Sequence, residues 1–520
     1  MTTLTATLAS PVANEPGEAL ALSLSPAVTL TCEQIEQVSL AAETSVEFSD
    51  QAWEGMRRSC ATLAAAREAG QPIYGLSTGF GPHVKYAASQ CADEQGAGLI
   101  AHLGAGVGPW AGDQAVIATM LIRAKTLAAG LSGVAPEVAS SLMAILNARV
   151  CPMIPEIGSV GASGDLIPLS FIARVLMGEG QARVNGKVLA GREALASADL
   201  TPLSLSGRDA LALVNGTAFM TAFASLALAR AQRLVERAEQ LTGWIYRSLG
   251  CRAQALDPRL HAARGHANQG VSADRILAEA RSQGAWEDTS RPLQEVYSLR
   301  CAPQFLGACR DQLEHARNLI EREINGVSDN PVVWTGDEVF PEEAVLHGGN
   351  FQGQQIAFAS DAINSAVVQA AVLAERQLDV LLNPEFNGAA PLLLAWQPGA
   401  TSGMAGGQIT ATAIVAEMRH HGGPVATSSI PTNGRNQDVV SMGTLAARAA
   451  FGQTGRLANV LAILATGVTQ LHHLRQAGRA AGRVTPAPAW MPDCRGFEKD
   501  RPLHDDIERI SSSFLTPPGL

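Results

Sequence analysis

Apolar residues recur at helical spacing over long stretches of the second half of the chain. They lie three or four positions apart over many turns, which is typical of helices that bury one or more faces. Helices this long and this apolar need neighbours on several sides, so we expect a central bundle shared between subunits. The stretches that predict long helices are Ala210–Leu249, Cys309–Asn325, Phe351–Leu382, Gly407–His420 and Asp438–Leu474.

The first part of the chain has a different pattern, in which short helical segments alternate with glycine-rich loops. The richest loops run from Tyr74 to Pro82 and from Gly158 to Pro168. Residues 1–28 are polar, contain proline and lack periodicity, so we expect a disordered extension there. The whole pattern predicts a mainly α fold in four segments: the extension 1–28, an N-terminal domain of mixed loops and helices over 29–204, a central helical bundle over 205–477 and a C-terminal helical tail over 478–520.

Composition and charge narrow the class of protein. Of the 520 residues 47% are hydrophobic and 17% are charged, which suits helices buried on several sides. The formal net charge is -10 and no basic run occurs, so we expect no nucleic acid and no membrane surface as a partner. The segment from Ala210 to Ala229 has no charge and is long enough to span a bilayer, but it contains Asn215-Gly216-Thr217. A buried helix of a soluble protein is the better interpretation.

Cysteine usage and the N-terminus indicate the compartment. The eight cysteines form no CxxC pair, and no His, Cys or Asp cluster has the spacing of a metal site. Free thiols in a reducing compartment are expected. The first basic residue is Arg57, so the N-terminus lacks the charged start of a secretory signal. These features predict a cytoplasmic protein without a bound metal.

One glycine-rich loop carries candidate chemistry. It reads Gly161-Ala162-Ser163-Gly164-Asp165-Leu166, and at its simplest it is a turn before a helix that Asp165 caps. Ala-Ser-Gly can also cyclise, when the amide nitrogen of Gly164 attacks the carbonyl carbon of Ala162. Loss of two waters, including the hydroxyl of Ser163, then gives a methylidene-imidazolone ring (MIO) with an electron-poor methylene. Small flanking residues are needed because the backbone must be compressed.

The run GASGDLIPLS resembles the prosthetic-group signature of the histidine and aromatic amino acid ammonia-lyases and the related aminomutases. The similarity extends from about residue 30 to the end of the chain and includes a set of further blocks in the family's order. The resemblance implies the family's homotetrameric, mainly helical fold and an MIO group, with neither a metal nor pyridoxal phosphate (PLP). The further blocks are Tyr74–Gly81, Leu213–Thr217, Tyr297–Gln304, Asp329–Pro331, His347–Phe351 and Asn436–Gly443.

The resemblance also implies roles for individual residues. Tyr74 matches the catalytic base, although a tyrosine with an ordinary pKa of about 10 needs nearby dipoles or cations to ionise. Asn215, at a predicted helix start, matches the residue that binds the ring's oxygen; its alternative role is a buried cap. Arg300 matches the clamp for the substrate carboxylate, with a structural salt bridge as the alternative. Tyr297 is a further catalytic candidate, and the remaining substrate-binding candidates are Gly81, Asn350 and Gln437.

Some positions in these segments are less informative. Phe351 is expected to form an aromatic wall or part of the core, and Glu417 receives no role. One position departs from the family, because Gln294-Glu295 stands where relatives often have Gln-Asp. The extra methylene is expected to alter the mobility of that loop.

The dipeptide His102-Leu103 points to the substrate. It aligns with the pair that meets the substrate side chain, and the tyrosine-type enzymes of the family have His-Leu there. An imidazole can pair with a phenol hydroxyl, while Leu103 would pack on the substrate ring. A buried core histidine is the alternative for His102. Histidine-type enzymes carry an added acid and His in the late block, where this chain has Val439-Val440.

The sequence therefore predicts an MIO-dependent ammonia-lyase acting on tyrosine, and also on phenylalanine, to give p-coumarate or cinnamate. Two alternatives within the enzyme class stay open: a histidine ammonia-lyase, and a tyrosine or phenylalanine 2,3-aminomutase that returns ammonia to the β-carbon. A helical scaffold without activity is the alternative outside that class. It would need none of the residues assigned above.

Overall fold

The computed structural model describes residues 20–517. Helices make up 56% of the structure, which confirms the predicted mainly α class. The chain divides into two compact units, each built from separate segments. The first unit consists of Met1–Gly158, Asp165–Phe219 and Ile324–Phe351, and the second of Ser159–Gly164, Met220–Glu323 and Gln352–Leu520.

The first unit combines short strands with helices of up to 19 residues. Its strands are β1 (Leu20–Leu24), β2 (Thr44–Phe48), β3 (Val107–Trp110), β4 (Cys151–Pro152), β5 (Pro155–Ile157), β6 (Gln181–Val184), β7 (Lys187–Ala190), β8 (Val332–Trp334) and β9 (Ala344–Leu346). Its helices are α1 (Cys32–Leu40), α2 (Asp50–Glu68), α3 (Ala92–Leu103), α4 (Asp113–Ala128), α5 (Pro136–Asn147), α6 (Leu166–Leu176), α7 (Gly191–Ala196) and α8 (Gly207–Val214).

The strands form four small sheets. β1 pairs in parallel with β2, β3 with β5 and β8 with β9 are antiparallel, and β4, β6 and β7 form an antiparallel sheet in that order. Side chains cap several helix starts; Thr31 and Gln34 form a capping box at α1, and Ser206 accepts from the Asp209 N–H at α8. Every residue of α4 from Ala115 to Ala128 is buried, so this helix lies at the centre of the first unit.

The expected disorder of residues 1–28 is wrong for the part that the structure describes. Residues 20–24 form β1, in register from Leu20 opposite Thr44 to Leu24 opposite Phe48, and Leu24 is fully buried. Leucines alternate with Ala21 and Ser23 in this strand, a period of two that brings one face onto the core. So short a pattern is visible only once its partner strand is known. Residues 1–19 lie outside the described residues.

The second unit contains the long helices. They are α9 (Ala218–Leu249, which starts in the first unit), α10 (Pro258–Arg264), α11 (Ala267–Arg281), α12 (Tyr297–Arg300), α13 (Ala302–Asn325), α14 (Gln354–Leu382), α15 (Ala405–His420), α16 (Gly443–Gln476) and α17 (His504–Leu515). α14 packs along α16, and α15 and α17 pack on the same helix. Each long apolar stretch predicted from sequence is thus helical, but the first is interrupted between α8 and α9.

The observed units differ from the contiguous segments predicted with boundaries at 204 and 477. Residues 324–351 join the first unit. There the N–H of Val333, in β8, donates to the Leu131 carbonyl at 2.8 Å. Residues 159–164 join the second unit, where the Gly161 carbonyl accepts from the Gly353 N–H at 3.0 Å. Long-range hydrogen bonds of this kind leave no local signal in the sequence, so composition could not place these boundaries.

Three helical stretches among the described residues are long and apolar enough to cross a membrane by length and composition. Their most apolar windows are 100%, 61% and 83% buried inside the folded chain, for Gly207–Leu249, Gln354–Leu382 and Gly443–Gln476 respectively. The apolar segment from Ala210 to Ala229 therefore lies within a fully buried stretch of protein, as its interruption by Asn215 suggested.

Candidate active site

The Ala162-Ser163-Gly164 triad lies in a tightly held loop of the second unit. The Gly161 carbonyl accepts from the Ser441 hydroxyl at 2.9 Å as well as from Gly353, and the Val160 carbonyl accepts from the Met442 N–H at 2.9 Å. Gly161 and Gly164 both have a φ of 69°, a conformation that glycine adopts without strain. The loop is therefore fixed immediately before Ala162, which is itself 6% exposed.

Three glycines bring backbone close to backbone around this loop. A Cβ on Gly161 would lie 2.4 Å from the Ser441 hydroxyl, and a Cβ on Gly353 or Gly443 would lie 2.4 or 2.6 Å from the Met220 sulfur. A larger residue at these positions would collide with the side chain of Ser441 or Met220 unless that side chain moved. The loop is thus closely packed against small residues, and the triad fits the formation of an MIO group.

Gln437 is a polar side chain that contacts the triad. Its Nε2 donates to the Ser163 hydroxyl oxygen at 2.7 Å. Gln437 precedes Val440 and Met442, which pack with Ala162 in one apolar cluster. The structure therefore brings together Gln437 and Ser163, two residues that the sequence assigned separately to substrate binding and to the ring.

Asn215 lies at the break between α8 and α9 and caps the C-terminus of α8, rather than starting a helix as predicted. The residue is buried, with 3% exposure. The next carbonyl, that of Gly216, accepts from the Asp165 N–H at 2.7 Å, and Asp165 opens α6 directly after the triad. The interruption of the long apolar helix is therefore what fixes the position of Asn215.

Tyr74 is held at both its main chain and its phenol. Its N–H donates to Nε2 of His347 at 3.0 Å, and its hydroxyl oxygen accepts from the Gly81 N–H at 2.7 Å. Burial raises the pKa of Tyr74 above its ordinary value, and the Gly81 N–H opposes this rise because it stabilises the phenolate. The Gly81 N–H, a group of a residue assigned from the resemblance to substrate binding, is thus a dipole that favours ionisation, and the role of Tyr74 as the base stays a prediction.

His102 and Leu103 close helix α3 and point in different directions. His102 is exposed, and its Nδ1 lies 3.1 Å from the carbonyl oxygen of Gly98, one turn earlier. Leu103 is only 6% exposed and belongs to the core of the first unit. The structure thus leaves the imidazole accessible, while the contact of Leu103 with a substrate ring stays a prediction.

Tyr297 and Arg300 lie together on the short helix α12. The guanidinium carbon of Arg300 is 4.6 Å from the centroid of the Tyr297 ring, and 66% of Tyr297 is exposed. Arg300 and Gln304 line a cavity of about 740 Å³. Nε of Arg300 has no hydrogen-bond partner within residues 20–517. The role of Arg300 as a carboxylate clamp stays a prediction.

Two buried side chains that the sequence did not single out hold α12 in place. The Tyr246 hydroxyl donates to the Leu299 carbonyl at 3.1 Å, and Nε2 of Gln377 donates to the Ser298 carbonyl at 2.9 Å. Both side chains are almost completely buried. The scarcity of tyrosine, with four in the chain, was a signal for Tyr246, whereas nothing in the sequence marked Gln377.

The departure at Glu295 has a structural role. Its two carboxylate oxygens accept from the Arg291 guanidinium at 2.9 and 2.6 Å, and Arg291 also donates to the Phe386 carbonyl at 2.8 Å. The longer glutamate thus fixes the segment before Tyr297 through a charge-assisted pair. Glu295 is thus a tether of this segment, and the expected change in loop mobility stays a prediction.

The remaining candidates lie in less constrained surroundings. Asn350 is exposed and Phe351 is half-buried. Glu417 pairs with Arg456 at 2.8 Å on an exposed helix surface. Among residues 20–517 no group of three His, Cys, Asp or Glu side chains could hold a metal ion.

Comparison with known proteins places this geometry in context. The model of a family described as aromatic amino acid lyase matches residues 30–488. A histidine ammonia-lyase of Treponema denticola is 37% identical over 85% of this chain and 86% of its own. A tyrosine ammonia-lyase of Cereibacter sphaeroides is 38% identical over 88% and 91%. The crystal structure of tyrosine aminomutase from Streptomyces globisporus superimposes with a TM-score of 0.84 and 33% identity, covering 95% of this chain and 97% of that one.

Proposed function

The chain belongs to the aromatic amino acid lyase family, and on that premise we propose that it is an MIO-dependent ammonia-lyase acting on L-tyrosine. The product is p-coumarate, and phenylalanine is a second substrate that gives cinnamate. The observation that carries the proposal is the position of the triad among Gly161, Gly353 and Gly443, which we call the glycine cradle. Gln437 donates to the Ser163 hydroxyl of this triad. A scaffold without activity would need neither.

The chemistry divides between the group made from the triad and the surrounding side chains. The ring supplies an electron-poor methylene that makes the substrate amine a better leaving group. Arg300 binds the substrate carboxylate through its planar guanidinium, with Tyr297 and Asn350 as further polar contacts. Asn215 would bind the ring oxygen, and Gln437 contributes a donor beside Ser163.

Tyr74 removes the β-proton at its phenolate oxygen. The Gly81 N–H, 2.7 Å away, stabilises that oxygen when it is charged. Because burial raises the pKa of Tyr74, the active phenolate becomes more abundant as the pH rises. The turnover number should therefore increase towards alkaline pH.

Tyrosine is favoured by the state of the His102 imidazole. A neutral ring that donates its Nδ1–H to the Gly98 carbonyl leaves Nε2 as an acceptor, and a phenol hydroxyl is a donor. A substrate without that hydroxyl would leave the acceptor unpaired, which costs binding energy. Histidine is disfavoured because Val439-Val440 occupies the place where histidine-type enzymes carry an acid and a histidine.

A tyrosine 2,3-aminomutase is the second candidate. It is supported by the likeness to the Streptomyces globisporus enzyme over 95% of this chain. A mutase retains the unsaturated acid and returns ammonia to its β-carbon, so the two reactions differ in how long the site stays closed. The Arg291–Glu295 tether bears on that closure, because it fixes the segment before Tyr297.

A homotetramer in the cytoplasm is the proposed state. Tyr297, although assigned to the substrate, is 66% exposed in the single chain, and apolar side chains on three long helices are exposed as well: Phe358 by 50%, Ile409 by 71% and Leu445 by 47%. Neighbouring chains that cover these surfaces would complete the site and bury the apolar side chains. The substrate is then a small amino acid, with no nucleic acid, membrane, metal or PLP involved.

One assay tests the proposal. Purified protein is given tyrosine, phenylalanine or histidine separately, and the products are separated by chromatography while free ammonia is measured. The expected result is p-coumarate and equimolar ammonia from tyrosine, with slower formation of cinnamate. A β-amino acid without ammonia would establish the mutase instead, and turnover of histidine alone would overturn the substrate assignment.

A further inference from the structure

We propose that His347 is a positioning residue for the catalytic base: its neutral imidazole accepts the main-chain N–H of Tyr74 and thereby fixes where the phenol stands. This inference rests on the proposed role of Tyr74 as the base. It adds a residue that does not itself touch substrate and that senses acid.

The contact defines the protonation state of His347. The Tyr74 N–H donates to Nε2 at 3.0 Å, so Nε2 must carry a lone pair and the ring proton must lie on Nδ1. The phenol end of Tyr74 is held separately by the Gly81 N–H. Because both the main chain and the phenol of Tyr74 are held, the phenol has little freedom to leave its position. Without His347, the main chain at Tyr74 would lose its hydrogen bond.

His347 is itself fixed from the core of the first unit. The next residue, Gly348, donates its N–H to Oδ1 of Asn330 at 2.9 Å. The Asn330 carbonyl accepts from the Arg208 guanidinium at 3.1 Å, and Arg208 also pairs with Asp329 at 2.9 Å. Arg208 and Asp329 are both almost completely buried. The buried Arg208–Asp329 ion pair thus holds the segment of His347 in position, and His347 in turn contacts the loop of Tyr74.

The charges around His347 favour its neutral form. Partial burial, together with the charge of Arg208 of α8, lowers the pKa of His347 below its ordinary value. Arg208 is balanced by Asp329, which also lies 3.5 Å from Arg123 of α4. On the segment of His347 itself, Glu343 is engaged by the hydroxyl of Thr62 on α2. On the loop that His347 contacts, the titratable group is the Tyr74 phenol, which is bound to Gly81.

A second titration should therefore appear in the activity. Loss of the phenolate alone makes log kcat fall with a slope of about one as the pH decreases. Once His347 takes up a proton, it no longer accepts from Tyr74 and its positive charge repels the N–H. The slope of log kcat against pH should then steepen to about two at pH values below the ordinary histidine pKa of about 6.5.

The experiment compares His347→Ala, which removes the acceptor, with His347→Gln, whose Oε1 reaches the same place and does not titrate. Each is measured as the full chain, with tyrosine at saturating concentration, for kcat, KM and the pH profile. Circular dichroism and the near-UV absorbance of the ring report whether the variant has folded. His504→Gln is the matched control, because His504 is exposed at the start of α17. Tyr74→Phe is measured in parallel.

We expect His347→Ala to lower kcat by roughly tenfold or more while KM changes by less than about threefold, since geometry rather than binding is lost. His347→Gln should recover most of that loss, keep a slope of about one to low pH and behave like the His504→Gln control at pH 8. A folded His347→Ala variant with unchanged kcat would overturn the inference, as would a His347→Gln variant that keeps the steep acid limb. A fully active Tyr74→Phe variant would instead refute the proposed base.

Discussion

At the scale of single residues, Ser163 is the residue on which the proposed chemistry depends. Its hydroxyl accepts from Gln437 at 2.7 Å, and it lies in a loop whose neighbour Gly161 tolerates no Cβ, because Ser441 would be 2.4 Å away. In the proposed function, the electrophile depends on that one hydroxyl, since only its loss creates the methylene. The mass and the activity of the protein should therefore both depend on residue 163.

Ser163→Ala should abolish activity by more than roughly a thousandfold, because no other electrophile is encoded. By intact mass spectrometry, the wild-type protein should be lighter than the mass calculated from its sequence by two waters. The alanine variant should have the mass calculated from its own sequence. Ser197→Ala, which removes a hydroxyl bound to the Ala194 carbonyl at the end of α7, is the control and should keep both activity and mass deficit. A fully active wild-type protein at its unmodified sequence mass would refute the assignment.

His102 decides the predicted substrate preference. His102→Phe removes the acceptor for the phenol hydroxyl and leaves that hydroxyl facing an apolar ring. A buried unpaired hydroxyl costs about 1–3 kcal/mol, so the ratio of kcat/KM for phenylalanine over tyrosine should rise by about tenfold to a hundredfold. The near-UV absorbance of the ring should not change. Equal loss of activity on both substrates would show that His102 has a structural or catalytic role instead.

At the level of elements, the four-residue helix α12 is too short to be stable alone and depends on its neighbours. Tyr246 and Gln377 each donate to one of its carbonyls, and Glu295 with Arg291 holds the segment before it. The proposed carboxylate clamp Arg300 therefore owes its position to side chains on α9 and α14. Substitutions of those side chains should therefore weaken substrate binding.

Tyr246→Phe keeps the buried ring and removes the hydroxyl that donates to Leu299 at 3.1 Å. The loss is worth about 1 kcal/mol, and since it loosens α12 we expect KM for tyrosine to rise several-fold with a smaller effect on kcat. Ser225→Ala is the matched control, because it removes a buried hydroxyl that donates only to its own helix, at the Thr221 carbonyl. If both variants changed KM equally, α12 would not be the element affected.

A second group of elements is joined by His472. The ring stacks on Trp244 at 5.7 Å, its Nε2 lies 2.8 Å from the Ser248 hydroxyl, and its Nδ1 accepts from the Thr485 N–H at 3.4 Å. Burial, assisted by Arg475 and Arg247, lowers the pKa of His472 to about 3. The contact between α9, α16 and the following segment thus requires a neutral imidazole.

The folded protein should consequently lose stability in acid through this residue. Below the ordinary pKa of about 6.5 the unfolded chain takes up a proton that folded His472 refuses, so the free energy of unfolding falls by about 2 kcal/mol at pH 5 and keeps falling towards pH 3. His472→Gln removes this term. We expect a smaller decrease in the midpoint of thermal unfolding between pH 7 and pH 5 for the variant than for wild type. Identical decreases would contradict a neutral buried His472.

At the scale of the whole molecule, the residues proposed for catalysis are far apart in the sequence. Tyr74 and Asn215 belong to the first unit, and the triad and Arg300 to the second. Tyr297 is two-thirds exposed in the single chain. Exposure of a side chain assigned to substrate is what a site completed by another chain would give.

Mixing two inactive variants tests this arrangement. If Tyr74 and Arg300 of one site come from different chains, equal amounts of Tyr74→Phe and Arg300→Ala that exchange subunits at random should recover about a quarter of the wild-type activity. That fraction follows because each site needs the intact partner at two independent positions. Sites built from one chain would recover nothing. A fully active monomer by light scattering would refute the tetramer itself.

The local properties of the sequence determined the long helices and the reactive triad. Helical spacing of apolar residues predicted α9, α13, α14, α15 and α16, because an amphipathic pattern repeats within each element and needs no distant partner. The triad was recognisable because its three residues are contiguous and ring closure is a local reaction. The same holds for Tyr297 and Arg300, which one turn of helix brings together.

Only the tertiary structure decided which distant residues support the site. The donors to α12, the acceptor His347 for Tyr74 and the glycine cradle of Gly353 and Gly443 all act across long separations in the chain. The pairing of β1 with β2 was hidden for the same reason, since five alternating residues gain a hydrogen-bonded partner only after folding. The spacing of apolar residues along the chain shows which face of a segment can be buried. Which side chains then come into contact depends on how the segments pack together, and the sequence of one segment does not determine that.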